Sequence, residues 1–235
     1  MNFLSHFYFD RDTQNPEQVL GCVLPDLVKN ANKAWNIHPE KKAHLFEDSE
    51  KLKSLLTGWN RHLTVDRYFH SSDFFIDHTQ AIRKHIAPIL ENSVVRPSFL
   101  AHISLELMLD SILLTLEDIN AFRFYDQLAN AARPAIKQFL ELNLVTDTAR
   151  FFRFFDEFLE VNYLHSYSQS ENLIYALNRV CMRLWSDPLN DTEKLQLNEV
   201  LLEYQKTLEG CYMNIFDDLD LHMGEARNGE IKREI

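Results

Sequence analysis

Residues 97–116 read PSFLAHISLELMLDSILLTL, and this stretch narrows what the chain can fold into. Pro97 opens it and no glycine or second proline interrupts it, so the spacing predicts a helix. Phe99, Leu100, Ile103, Leu105, Leu107, Met108, Leu109, Ile112, Leu113 and Leu114 cover almost its whole circumference. A helix apolar on nearly every side belongs inside a protein and needs other elements packed around it. Those neighbours must be helices too. No alternating strand pattern of useful length occurs, and 5 glycines and 7 prolines are too few for the many turns of an all-β protein. The reading is all-α, a single-domain helical bundle.

Further helices are marked along the chain. A short apolar opening, NFLSHFYF, is followed by the loop DRDTQNP. Pro16 then opens a helix through EQVLGCVLPDLVKN, which Pro25 should bend or interrupt. A polar connection around HPEKKAH leads to a helix from about Ser49 to His70. DHTQAIRKHIAPIL, ARFFRFFDEFLEVNYL and EKLQLNEVLLEYQKTLEGCYMNIFDDL complete the clearest amphipathic segments. One domain is expected over residues 1–222, with a flexible charged tail over 223–235.

Composition excludes several function classes. A formal charge of −11 with no basic run argues against a nucleic-acid-binding surface. Cys22, Cys181 and Cys211 form no CxxC pair, which argues against a thiolate zinc site and suits a reducing compartment. No apolar run is read as reaching membrane-spanning length. The opening MNFLSHFYFDRDTQ lacks a basic stretch and a small-residue cleavage site, so it does not read as a signal peptide. A cytoplasmic protein is expected.

Two polar stripes stand out on apolar helices. His62, Asp66 and His70 are spaced four apart in GWNRHLTVDRYFHSSDFF. On a helical wheel they fall at about 0°, 40° and 80°, beside Leu52, Leu55, Trp59, Leu63 and Phe69. His102, Glu106 and Asp110 repeat the spacing on the apolar 97–116 segment. Ionised groups buried there cost several kcal/mol each unless something neutralises them. A divalent cation would do so, because carboxylates gain a counter-charge and histidines gain a lone-pair acceptor. A hydrogen-bonded polar network in the core is the other solution. His38, His44, His78, His85, His165 and His222 stand in polar or terminal surroundings and read as surface residues.

MNFLSHFYF, GCVLPDLVKN, GWNRHLTVDRYFH and SLELMLDSILL, in that order, resemble the acyl carrier protein phosphodiesterase family. The matching positions are Asn2, Phe3, Leu4, His6, Gly21, Leu24, Asp26, Gly58, His62, Asp66, Glu106 and Asp110, and YQKTLEGCYMNIFDDL is similar to that family's closing helix. The resemblance implies a helical fold related to the HD-type metal-dependent phosphohydrolases. It implies hydrolysis of the phosphodiester joining 4′-phosphopantetheine to a carrier-protein serine, with manganese, and with His6, Asp26, His62 and Asp66 as metal ligands. Iron or zinc would suit the same donors. His70, His102, Glu106 and Asp110 would then hold a second ion, orient ligands or act as base, with Asp26, Asp66 and His70 as the catalytic set. The chain departs from the family at Leu63 and Thr64, where a basic pair is usual, at His70, where an aspartate is usual, and at Ser111, where a histidine is usual. Carrier proteins are acidic and so is this chain, which leaves a nucleotide or other small phosphoester as an alternative substrate, and a helical scaffold without catalysis as a third reading.

Overall fold

The computed structural model describes residues 1–169 and 172–231, with the side chains of 225–231 left aside. The described residues form helices and no strand. In chain order they are α1 (Phe3–Tyr8), α2 (Pro16–Gly21), α3 (Leu24–Ala31), α4 (Glu50–Ser71), α5 (Asp73–Ile86), α6 (Pro97–Thr115), α7 (Ala121–Asn130), α8 (Arg133–Leu142), α9 (Thr148–Val161), α10 (Asn172–Cys181), α11 (Asp191–Glu209) and α12 (Met213–Ile231). The lysine-rich connection is a 3₁₀ segment, Pro39–Phe46. Pro25 does interrupt its helix: α2 stops at Gly21 and α3 restarts at Leu24 with Pro25 in its first turn. The segment expected as a charged tail continues as α12 to Ile231, and residues 232–235 lie outside the described ones.

Where a single domain over 1–222 is expected, the chain groups into two compact units. The α2 unit comprises Phe3–Asp66 and Asp118–His165. The α6 unit comprises Met1–Asn2, Arg67–Glu117 and the chain from Ser166 onward.

In the α2 unit, α2 packs on α7, while α3, α7 and α8 all pack on α9. Phenylalanines fill the space between them. Phe46 meets Phe139 at 4.9 Å between ring centroids, and Phe7 meets Phe124 at 5.2 Å. Such tilted pairs add to the burial of their rings.

The α6 unit is built around α6, which packs against α5, α10 and α11. Leu105, Leu109, Ile112 and Leu113 are fully buried, as the apolar circumference predicts. By length and composition α6 also qualifies to cross a membrane, contrary to the expectation that no run would. Its burial against three neighbours is how a core helix passes the same test. Ser111, fully buried, donates from Oγ to the Tyr167 carbonyl at 2.7 Å and accepts from Gln205 Nε2 at 3.2 Å. A small hydroxyl here is held within the unit by hydrogen bonds, as buried polar groups require.

Candidate metal centre

The candidate centre begins with two glycines. Gly21 ends α2 and Gly58 lies in α4, and their backbones touch. A methyl group at Gly58 would overlap the Gln18 carbonyl oxygen and lie 2.6 Å from Cys22 N and 2.8 Å from Gly21 C. Only glycine permits this approach, and it sets the residues that follow each glycine against one another. One turn beyond Gly58, His62 donates from Nδ1 to the Cys22 carbonyl at 2.9 Å. That bond puts the proton on Nδ1 and leaves Nε2 with a free lone pair, the arrangement by which proteins orient metal-binding imidazoles.

His6, in the short helix α1, stacks on His62 with ring centroids 3.9 Å apart and planes 19° from parallel. Both rings are buried, His6 to 1% exposure and His62 to 3%. His6 Nε2 stands 3.3 Å from Asp66 Oδ1, and His62 Nε2 stands 3.7 Å from Asp66 Oδ2. One ligand atom from each of the three residues lies within 4.8 Å of the others. His6 Nδ1 is buried without a hydrogen bond among the described residues, while Nε2 faces the Asp66 carboxylate. An imidazole nitrogen left so in a protein interior is costly unless a ligand claims it.

Electrostatics fit a neutral His6 facing an ionised Asp66. Burial, reinforced by His62, holds the imidazolium of His6 down at about 3, against the opposing pull of Asp66. Burial alone would raise Asp66, but the contact with His6 outweighs it and holds the carboxyl well below the usual carboxylate range. Neutral imidazole and carboxylate are the forms that bind a cation. The Asp66 side chain is 35% exposed, so the centre opens to solvent on that side.

The structure brings three of the four expected ligands together. Asp26, expected as a fourth ligand, sits half-buried in the first turn of α3 in the same unit but outside the group of three. His70, expected to share the stripe with His62 and Asp66, does not join them. Eight residues of helix rise about 12 Å, so one ion cannot touch both His62 and His70. His70 joins His102 and Glu106, two of the residues expected with it at a second ion, inside the α6 unit. Asp110, four residues past Glu106, is fully buried and stands outside that group. Among the histidines read as surface residues, His78 is half-buried, with Nδ1 2.7 Å from the Tyr204 hydroxyl and Nε2 3.7 Å from Cys211 Sγ.

Some contributors carried no signal in the sequence. The Cys22 carbonyl could not be found, because any residue supplies one. Arg61 ion-pairs with buried Asp10 and also donates to the Phe9 carbonyl at 3.0 Å, which anchors the chain after α1 to α4.

No family model matches the chain, and no curated protein or solved structure matches it.

Proposed function

We propose that His6, His62 and Asp66 hold a divalent metal, manganese first with iron or zinc as alternatives, and that the protein is a metal-dependent phosphodiester hydrolase. What carries this reading is His6: a buried imidazole with no hydrogen bond at Nδ1 among the described residues, stacked on an oriented His62 and facing the Asp66 carboxylate with Nε2. A bound divalent cation would supply a water of lowered pKa and a counter-charge for phosphoryl oxygens. The chain's own groups do the rest. The Cys22 carbonyl fixes the tautomer of His62, burial keeps His6 neutral, and Asp66 brings negative charge at the solvent-open side. Asp26, in the same unit, is the candidate general base.

The resemblance at the quoted motifs supports 4′-phosphopantetheinyl carrier protein as the substrate. Two observations favour a nucleotide or other small phosphoester as a second reading. The chain's charge of −11 would repel an acidic carrier protein. The α2 unit also has a cavity of about 420 Å³ lined by Trp35, His38, Lys41 and Lys42, which offer a ring to stack on and cations for phosphate.

Purified protein loaded with manganese should hydrolyse bis(p-nitrophenyl) phosphate. Asp66→Ala should lower the rate on the order of 100-fold or more while keeping its helical circular dichroism. Holo-carrier protein and a cyclic nucleotide, tested in parallel, separate the two substrates. If calorimetry shows no divalent binding in metal excess, the hydrolase reading fails and a helical scaffold replaces it.

A further inference from the structure

We infer a second, independent cation site in the α6 unit, formed by His70, His102 and Glu106. His70 Nε2, His102 Nε2 and Glu106 Oε1 make a triangle with edges of 3.2, 3.2 and 2.9 Å. At a metal–ligand bond of about 2.1 Å, adjacent ligands stand about 3.0 Å apart in an octahedron and about 3.4 Å apart in a tetrahedron. The observed edges match one face of an octahedral first-row ion more closely than a tetrahedral site. Two histidines and one carboxylate on such a face leave the remaining positions for water or an oxygen ligand.

Beside an ionised Glu106, histidine protons alone do not satisfy this triangle. If both Nε2 atoms carry hydrogen, two N–H groups face each other across 3.2 Å. If only one does, the other ring's lone pair points at a carboxylate oxygen. With Glu106 ionised, each of these arrangements keeps one repulsive edge, and a cation at the three atoms removes it. The nitrogen of Met1, 3.2 Å from the same Glu106 oxygen, supplies positive charge on one side but does not separate the two rings.

The surroundings are those of a held site. Phe75 packs edge-on against both imidazoles, with centroids 5.0 Å from His70 and 4.9 Å from His102. Phe75 is itself fixed in the first turn of α5, where its N–H donates to the capping Ser72 hydroxyl at 3.1 Å. Glu106 is 13% exposed while His70 and His102 are 32% and 38% exposed, so the carboxylate lies deep and the histidine edge faces water. An ion can reach the site from that edge, and a small anion or water can complete its coordination.

Cobalt(II) tests this without any activity assay, by elemental analysis of desalted protein and visible absorption. Asp66→Ala protein should retain one equivalent of cobalt with the weak bands of a five- or six-coordinate ion. Adding His102→Ala, at a half-exposed position and with circular dichroism as the check on folding, should remove that equivalent. Glu106→Gln should remove it too. Cobalt retained by the Asp66→Ala/His102→Ala protein, or no cobalt in Asp66→Ala, overturns the site. If wild type and Asp66→Ala hold the same single equivalent and His102→Ala loses it, this site stands and the His6 centre does not.

Discussion

Replacing Gly58 with alanine should damage the His6 centre from a turn away, without touching a ligand. The added methyl overlaps the Gln18 carbonyl oxygen and approaches Cys22 N to 2.6 Å. Both neighbours are backbone, so neither can swing aside. Restoring ordinary contact requires α2 and α4 to separate by about 1 Å. The His62–Cys22 hydrogen bond, 2.9 Å in the native protein, would stretch beyond bonding distance. Overpacking costs about 1–3 kcal/mol and the lost hydrogen bond about 1 kcal/mol, while alanine's better helix propensity returns about 1 kcal/mol. The net loss is about 2 kcal/mol, or about 4–8 °C in melting temperature for a chain of this size. Freed from Cys22, His62 should also weaken manganese binding by about 10–100-fold. Thermal and urea unfolding, with calorimetric titration of manganese, measure both effects. Gly224→Ala is the control, because a methyl there meets nothing within 4 Å. It should leave metal binding unchanged and gain up to about 1 kcal/mol. A Gly58→Ala protein as stable as wild type, with unchanged manganese affinity, would refute the close approach as the element that aims His62.

Two more outcomes follow from the α6 unit. Leu109→Ala, at a fully buried position of α6, should cost about 2–5 kcal/mol in urea unfolding, and a change under 1 kcal/mol would deny that α6 is the core helix. Burial lowers the pKa of His78 below its ordinary 6.5. As pH falls through 6.5 the unfolded chain takes up the proton first, so stability should decline with acidity until the folded ring also titrates. His78→Gln should flatten that slope, and an NMR titration giving His78 an ordinary or raised value would contradict it.

Helical identity was legible locally. The apolar circumference of 97–116, Pro16 and Pro97 at helix starts, and the break near Pro25 each depend on residues close in sequence, which is where helix hydrogen bonds and proline's constraint operate. The four-residue spacings His62–Asp66 and His102–Glu106 were readable for the same reason, since they place side chains on one face of one helix. The partners of those faces were not. His62 meets the Cys22 carbonyl because Gly21 and Gly58, far apart in the chain, let two backbones touch, and nothing in either glycine's neighbourhood states whom it will meet. The same limit explains why the wheel sets His70 beside His62 and Asp66, although it meets His102 and Glu106. A wheel projects a helix along its axis and discards the rise, so residues about 12 Å apart look adjacent. Periodicity determines which side of a helix turns inward. Which helix waits there, and therefore which donors can share an ion, is decided only when the separate apolar faces have been packed against one another.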